Sequence, residues 1–327
     1  MNIAVVMGGY SDESVISLRS GQLILESLDR SKYTVFEVHV LTDGWFAIHD
    51  NQRISIDKAD FSFTANRKVT FDVIVNTIHG TPGEDGHLQA YWELVEIPYT
   101  GCNFYQSALT FNKRDTLSVL SKFDIPKARS VYLSKGDDIS GTALEDTLGL
   151  PFFVKPNQSG SSLGVTKVNS LDQLDAALEF AFAEDSDILI ESFLDGVEIS
   201  VGVLKLNGKT TVLGLTEIVS HNEFFDYAAK YSGESEEITP ARISDEIAEK
   251  VITSAKKVYD ALGMTGFSRS EFIIMDDVPH FIEINTNPGL SPQSIFPQQA
   301  RFANIEFSVL LDNEIELALQ RKPLWRK

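Results

Sequence analysis

The chain contains a single cysteine, Cys102, among its 327 residues. One thiol cannot form a disulfide within the chain, and it also excludes a zinc site built from four cysteines. Disulfides are rare in the reducing cytoplasm, so the cysteine count favours a cytoplasmic protein.

Positive charge is scarce as well. Lys and Arg number 28 against 47 Asp and Glu, which gives a formal net charge of -19 at pH 7. Nonspecific binding of nucleic acid or of an anionic membrane requires a basic surface, so we expect neither as a partner. An anionic ligand would have to be held by cations that the fold gathers at one place.

Long apolar runs are also missing. No stretch approaches the roughly 20 apolar residues of a membrane-spanning helix. Residues 1–9 have neither the basic start nor the length of a signal peptide. We therefore expect a soluble, intracellular protein.

Apolar residues as a class are present in an ordinary amount, 43% of the chain, which suffices for a sizeable core. At roughly 150 residues per domain, the length suggests two domains or three small ones. Strands are predicted over 3–7, 33–41 and 73–78, and a helix is expected between the first two. This alternation favours a parallel α/β unit at the start of the chain.

The remainder of the chain also has the pattern of mixed helices and strands. The predicted elements are strand 152–155, helix 171–183, strand 188–191, helix 244–262, strand 267–275 and strand 280–285. Residues 221–239 are polar and irregular, which is long for a loop and typical of a functional or mobile segment. Ser244 is the expected N-cap of the clearest helix and Gly263 its stop. A turn over 276–279 would join the last two strands.

Charged and amide side chains occupy alternate positions on those last two strands. Arg269 and Glu271 share one face of the first strand, and Glu283 and Asn285 share one face of the second. If the strands pair, a guanidinium and three oxygen ligands meet, and such ligands suit Mg²⁺. The alternative is a solvated hairpin face with compensating charges. The adjoining loop 287–291, whose backbone amides can point inward, favours the metal site.

Two glycine-containing loops follow predicted strands. Lys155 leads into loop 156–164, whose small residues would let backbone N–H groups surround a phosphate, although a surface turn explains the pattern about as well. Gly8-Gly9 also follows a strand, but the full G-x-G-x-x-G fingerprint is absent. Glu13 either complements the dipole of the next helix or holds a substrate ammonium.

Some residues are uninformative on their own. His79 precedes a Gly-rich loop and could contact a ligand, but a hydrogen-bonded structural histidine is the default interpretation. Residues 190–194 are most simply a strand end. Lys230 and Tyr231 matter only if the polar segment around them folds over a site.

Taken together, five motifs resemble the D-alanine–D-alanine ligases of the ATP-grasp superfamily. The resemblance covers essentially the whole chain, and the order and spacing of the five are highly specific, although each motif alone is weak. The motifs are Gly8-Gly9 to Ser17, His79-Gly80 to Gly86, Lys155-Pro156 to Ser162, Lys230-Tyr231, and Glu283 to Gly289.

The resemblance implies an α/β, ATP-grasp fold of three α/β domains, the first being a parallel-sheet, Rossmann-like, pre-ATP-grasp domain. The domains would cover residues 1–101, 102–190 and 191–327, with ATP between the second and the third. A lid loop would span about 221–239. A cytoplasmic homodimer is implied as well.

The resemblance also implies roles for individual residues. Glu13 would hold the ammonium of the first D-alanine and couple to Ser161 and Tyr231, while Arg269 and the Gly289 N–H would stabilise an oxyanion. D-alanine would further contact His79, Ser294 and Ile295. ATP would contact Lys113, Lys155, Glu191, Phe193, Leu194, Glu198 and Lys230. Two Mg²⁺ or Mn²⁺ ions would bind Glu271, Glu283 and Asn285.

One position departs from the pattern of that family. The residue two after the arginine is often Asp, whereas this chain has Glu271. A glutamate adds one methylene and can still reach a metal, so the implied role is kept.

The implied activity is ATP-dependent ligation of two D-alanines to D-alanyl-D-alanine for peptidoglycan precursors. Phosphoryl transfer from ATP converts the first carboxylate into an acyl phosphate, which the second amine attacks. Such transfer needs charge neutralisation and alignment more than a covalent nucleophile. A lid over 221–239 would keep water from the acyl phosphate.

Three alternatives remain at this point. A different ATP-grasp carboxylate–amine ligase would share the ATP and metal residues, but it gives no reason for Glu13, His79 and Lys230-Tyr231 to occur together. A nucleotide-binding regulator without catalysis would have no use for an oxyanion clamp at Arg269. An NAD oxidoreductase is disfavoured by the missing glycine fingerprint.

Overall fold

A computed structural model of the chain describes residues 1–160, 162–220 and 235–323. Within these residues, most strands belong to three sheets that follow one another along the chain. No helix in the described part is both long enough and apolar enough to cross a membrane.

The first sheet has the strand order β4-β3-β2-β1-β7. β1 lies parallel to both β2 and β7, whereas β3 and β4 continue the sheet as antiparallel strands. The predicted parallel α/β unit is therefore confirmed for three strands, and a hairpin extends one edge. The strands are β1 (Asn2–Gly8), β2 (Thr34–Leu41), β3 (Gly44–His49), β4 (Gln52–Ser55), the separate short pair β5 (Phe63–Thr64) and β6 (Lys68–Val69), and β7 (Val73–Asn76).

Two helices accompany this sheet, α1 (Ser14–Ser27) and α2 (His87–Leu94). The buried face of α1 is formed partly by small residues, including Ser17 and Gly21, whereas the apolar Val15 is 55% exposed. A Cβ at Gly21 would lie 2.5 Å from the Met7 side chain, so glycine lets α1 approach β1 closely.

The second sheet has the order β10-β9-β11-β8 and is antiparallel throughout. The predicted helix beginning at residue 171 starts instead with a 3₁₀ turn, Leu171–Gln173. The elements of this part are α3 (Phe104–Phe111), α4 (Lys113–Leu120), β8 (Ser130–Ser134), α5 (Gly141–Leu148), β9 (Phe152–Pro156), β10 (Thr166–Val168), α6 (Leu174–Glu184) and β11 (Asp187–Ser192).

The third sheet has the order β14-β13-β12-β15-β16, again antiparallel. The predicted helix over 244–262 is observed at 245–261, with the Ser244 hydroxyl capping its first turn. The elements are β12 (Val197–Leu206), β13 (Lys209–Ser220), β14 (Ser235–Ile238), α7 (Asp245–Ala261), β15 (Ser268–Met275), β16 (Val278–Asn285), α8 (Ile295–Phe302) and α9 (Phe307–Gln320).

Two segments predicted to be irregular contain strand residues. The irregular segment predicted over 221–239 contains β14, which pairs with β13, and residues 221–234 lie outside the described part. The turn predicted over 276–279 contains only Asp276 and Asp277, both with positive φ. Pro279 belongs to β16 because this strand lies at the edge of the sheet, where a missing N–H is tolerated.

Apolar packing joins the first and third parts of the chain directly. One core cluster combines β1 and β7 residues such as Val5 and Val75 with Phe296 of α8 and Leu310 of α9. Another packs α4 against the third sheet and α7. The first sheet is thereby held against the loop that follows β16.

A buried carboxyl, Glu314 on α9, lies beneath that loop. It is 3% exposed, and burial raises its pKa to about 7, although the charge of Arg321 and the Gly101 N–H act in the opposite direction. Arg321 in turn donates to the carbonyls of Tyr99 and Gly101 and to the Thr265 hydroxyl. The end of α9 is thus tied to the segment that leaves the first sheet.

The Glu314 carboxyl generates a pH-dependent prediction. Its pKa is raised from 4.5 to about 7 on folding, so its contribution to stability is present below about pH 4.5 and is lost as the pH rises to about 7. The unfolding free energy of the unsubstituted chain should therefore fall by roughly 3 kcal/mol between acidic and mildly alkaline pH, measured relative to Glu314→Gln. The variant lacks this change because glutamine does not titrate. Urea unfolding at several pH values measures this, with Glu316→Gln on the exposed face of α9 as the control. A pH-independent difference would contradict it.

Candidate active site

Two adjoining cavities lie among the three sheets. The small cavity, of about 170 Å³, is lined by α1, the loop after β7, and the loop after β16, and the large cavity, of about 510 Å³, lies between the second and third sheets. The large cavity has a volume typical of cofactor and drug-sized ligands. Both are lined by Lys113, Ser159, Gly160, Arg269 and Glu283, so these residues form a shared wall.

The predicted site residues that the structure describes all line one cavity or the other. The small cavity is lined by Glu13, His79, Lys113, Arg269, Glu283, Asn285, Gly289, Ser294 and Ile295. The large cavity is lined by Lys113, Lys155, Glu191, Phe193, Leu194, Glu198, Arg269, Glu271 and Glu283. Ser161, Lys230 and Tyr231 lie outside the described residues.

The pairing of β15 with β16 creates the charged part of the shared wall. Arg269 lies opposite Asn285, and Glu271 lies opposite Glu283. The register shifts directly after Glu271, and such bulges commonly reorient side chains next to active sites. The strand register therefore brings the guanidinium, the two carboxylates and the amide together, as expected.

Arg269 is held in place by its neighbour on the same strand. Its Nε donates to Glu271 Oε1 at 2.8 Å, and the Ser200 hydroxyl donates to the same oxygen at 3.3 Å. Burial alone would lower the pKa of Arg269. The negative charges of Glu271, Glu283 and Glu237 outweigh this effect and raise the pKa. The guanidinium thus stays charged beside both cavities.

Two lysines bring further positive charge to the large cavity. Lys155 on β9 and Glu191 on β11 form an ion pair, in which the side chains are 10% and 6% exposed. Lys113, the first residue of α4, donates to the Ser159 carbonyl at 2.7 Å and lies 3.7 Å from Glu283 Oε2. The fold therefore gathers the cations that the net charge of -19 makes scarce.

The apolar end of the large cavity is formed by the segment that follows β11. Phe193 packs near Phe153, with ring centroids 6.1 Å apart, and Lys167 lies 4.4 Å above the Phe193 ring. The buried Leu194 completes this apolar wall. A flat aromatic base fits such a surface, whereas phosphates fit the cationic end.

Glu13 places a carboxylate in the small cavity. A Cβ at Gly160 would lie 2.8 Å from Glu13 Oε2, and one at Gly80 would lie 3.3 Å from the same atom. Both glycines therefore allow the backbone to approach this carboxylate. The arrangement presents negative charge where a ligand ammonium could bind.

His79 stands beside Glu13 as a neutral ring. Burial lowers its pKa, although the negative charge of Glu13 acts in the opposite direction. Its Nε2 lies 3.3 Å from the Ser20 hydroxyl of α1. His79 is thus both a structural histidine and a residue of the cavity wall.

The other end of the small cavity is the start of α8. Ser294 is the N-cap, and its hydroxyl lies 2.8 Å from that of Ser291. The first N–H groups of a helix have no partner within the helix and attract anions. A Cβ at Gly289 would lie 2.9 Å from Ser294 Oγ, so a side chain there would crowd this end.

The donor set that β15 and β16 provide next to the shared wall fits a divalent cation that retains other ligands. No group of three His, Cys, Asp or Glu side chains suited to a metal occurs in the described part of the chain. The predicted set is instead two carboxylates, Glu271 and Glu283, and the Asn285 amide. Mg²⁺ is typically bound by one or two carboxylates together with waters and substrate phosphates.

Two acidic residues of the small cavity were not predicted. Glu84 and Glu237 both line it, and burial raises the pKa of each, that of Glu84 to about 7. Glu84 lies within the motif 79–86, so a carboxylate in a Gly-rich loop was an available signal. Glu237 lies in a segment predicted to be irregular and had no such signal.

Two family models match consecutive stretches of the chain. The sequence profile described as D-ala D-ala ligase N-terminus matches residues 2–102, and that described as D-ala D-ala ligase C-terminus matches residues 119–316. A D-alanine–D-alanine ligase from Flavobacterium psychrophilum is 71% identical over 328 residues and covers 100% of both chains.

Solved structures agree with this similarity. D-alanyl-alanine synthetase A from Vibrio cholerae has a TM-score of 0.88 and 29% identity, covering 98% of this chain and 99% of that chain. The VanG D-Ala:D-Ser ligase from Enterococcus faecalis has a TM-score of 0.87 and 30% identity, covering 97% and 99%.

The buried ion pair in the large cavity allows a stability prediction. Lys155→Met leaves Glu191 as a buried carboxylate without its counter-charge, which should cost about 3–5 kcal/mol of unfolding free energy. The double variant Lys155→Met with Glu191→Gln removes both charges and should recover most of that loss. Denaturant unfolding of the two variants measures the difference, and equal destabilisation would contradict it.

Proposed function

The chain belongs to the D-alanine–D-alanine ligase family, and on that premise we propose how its two cavities carry out ATP-dependent ligation of two D-alanines. ATP occupies the large cavity and the amino acids occupy the small one. The observation that carries the proposal is the shared wall of Lys113, Arg269 and Glu283, because phosphoryl transfer must cross from one cavity to the other. The product is D-alanyl-D-alanine for peptidoglycan precursors.

The first D-alanine binds near α1. Glu13 holds its ammonium, with the neutral His79 beside it. Its carboxylate then points to the shared wall, where an oxygen attacks the γ-phosphorus of ATP and ADP leaves. This step forms the acyl phosphate that makes the carbonyl carbon electrophilic.

The nucleotide is held along the large cavity. Phe193 and Leu194 contact the adenine together with Glu191, and Glu198 reaches the ribose. Lys113 and Lys155 then meet the phosphates. Such charge neutralisation and alignment are the main requirements of phosphoryl transfer.

Glu271, Glu283 and Asn285 would hold two Mg²⁺ or Mn²⁺ ions next to the shared wall, which Glu271 adjoins in the large cavity and Asn285 in the small one. The fit is supported by the register that places the two carboxylates opposite each other, since like charges there are otherwise unfavourable. When bound, the metal supplies charge neutralisation for the ATP phosphates.

The second D-alanine binds at the start of α8, where Ser294 and Ile295 receive its carboxylate. Its amine attacks the acyl carbonyl, loses a proton, and inorganic phosphate leaves. The tetrahedral oxyanion formed in between is stabilised by Arg269 and by the backbone N–H of Gly289. We name residues 286–290, which include Gly289, the oxyanion loop.

We also propose how the chain is divided into domains and assembled. The three sheets support division into domains at 1–101, 102–190 and 191–327. Ser161, Lys230 and Tyr231 are proposed to act on the substrates together with a lid within about 221–239. A cytoplasmic homodimer is proposed by likeness to the family.

Phosphate release tests the function directly. The protein should release phosphate from ATP in the presence of Mg²⁺ and D-alanine, and the product should be D-alanyl-D-alanine. D-Serine and D-lactate, each mixed with D-alanine in equal amount, serve as competing acceptors because a D-Ala:D-Ser ligase shares this fold. No D-alanine-dependent release, or a predominantly mixed product, would refute the assignment.

Glu283→Gln tests the metal role. The substitution preserves the size of the side chain but removes a charge, so the melting temperature should be normal while most activity is lost. Mn²⁺ binding in the presence of ATP, measured by electron paramagnetic resonance, should weaken in parallel. Glu246→Gln, an exposed position on α7, is the control. Normal turnover, or an unfolded variant, would count against the site.

Arg269→Lys tests the oxyanion role. Lysine keeps the charge but loses the planar fork of donors, so kcat should fall by a factor on the order of 10²–10³. The matched control is Arg53→Lys, whose guanidinium is half exposed and pairs with Asp43. A decrease of less than about tenfold would mean that Arg269 does not contact the reacting centre.

A further inference from the structure

The oxyanion loop is fixed from the side of the first sheet. Asn287 Nδ2 donates to the Ile78 carbonyl at 2.8 Å, and the Leu290 N–H donates to the Ser20 hydroxyl at 3.1 Å. These bonds join positions more than 200 residues apart in the chain. The orientation of the Gly289 N–H therefore depends on residues of the first sheet and α1.

Glu84 is the carboxyl group at the centre of this junction. It is 7% exposed, and its Oε2 accepts the Gly80 N–H at 3.0 Å. It lines the small cavity together with Thr286, Asn287 and Gly289 of the oxyanion loop, and the backbone N–H groups of Thr286 and Asn287 lower its pKa, which means that they favour its ionised form. One buried carboxylate thus holds the loop after β7 and the loop after β16 together.

We propose that Glu84 is a positioning residue for the oxyanion donor. By accepting the Gly80 N–H and attracting the N–H groups of Thr286 and Asn287, it fixes the residues immediately before Gly289 and so directs the Gly289 N–H into the small cavity. This inference rests on the proposed function for the role of Gly289. Hydrogen bonds to a charged acceptor are about twice as strong as neutral ones, which suits a carboxylate for this task.

The position of Glu84 also links the loop to the first substrate. Burial and the charge of Glu13 disfavour an ionised Glu84, whereas the three N–H groups favour it. The ammonium of D-alanine beside Glu13 offsets that negative charge. Binding of the first substrate therefore strengthens the hold of Glu84 on the oxyanion loop.

Glu84→Gln is the test, because glutamine keeps the size but directs an NH₂ group towards N–H donors. We expect kcat to fall on the order of 10–100-fold while the KM for D-alanine, the Kd for ATP and the melting temperature remain nearly unchanged. Backbone hydrogen exchange should become faster at 286–290 and stay the same in α7. Ser20→Ala, which releases the other end of the loop, should have a smaller effect of the same kind.

Glu93→Gln provides a matched control, because Glu93 is a buried glutamate of the same part of the chain that accepts the Tyr99 hydroxyl at 2.6 Å. It should leave kcat and loop exchange unchanged. Unchanged exchange at 286–290 in Glu84→Gln, or a loss of stability with normal kcat, would overturn the inference. If the unsubstituted protein released no phosphate with D-alanine, the proposed function would fail, and hydrogen exchange would still decide the positioning role.

Discussion

The antiparallel pairing of β15 with β16 is the constraint on which the active site depends. It places Glu271 directly opposite Glu283, an arrangement that is unfavourable for two like charges on a sheet. The neighbouring cations, Arg269 and Lys113, offset part of that repulsion. The strand register thus makes positive charge favourable at the wall that the two cavities share.

The same principle extends to the other cations of the site. In a chain with a net charge of -19, each of these cations within the described residues has a carboxylate partner: Lys155 has Glu191, Lys113 has Glu283, and Arg269 has Glu271. These pairs hold the positive groups at the cavity walls before any phosphate arrives. An anionic ligand at these walls would meet groups whose positions are already set, which would lower the entropy cost of ordering them.

The extent to which sequence predicts this structure differs between its parts. Apolar periodicity was sufficient for α7 because its stripe packs on one sheet face. For α1 it predicted the helix but not the buried face, where Val15 is exposed while Ser17 and Gly21 are buried, since close packing and hydroxyl hydrogen bonds leave no trace in hydropathy. Glu84 could not be assigned a role because its partners, such as Thr286, lie far away in the sequence.

The shared wall has a consequence for inhibitor chemistry. A compound that filled both cavities would have to pass between Lys113, Arg269 and Glu283. An apolar linker there would be unfavourable because it would remove water from these charged side chains. The linking group would need to be anionic to face the two cations, and compact because Gly160 brings backbone close to the same passage. A heterocycle over Phe193 joined through such a group to an amino acid beside Glu13 would use the geometry of the whole site rather than of either cavity alone.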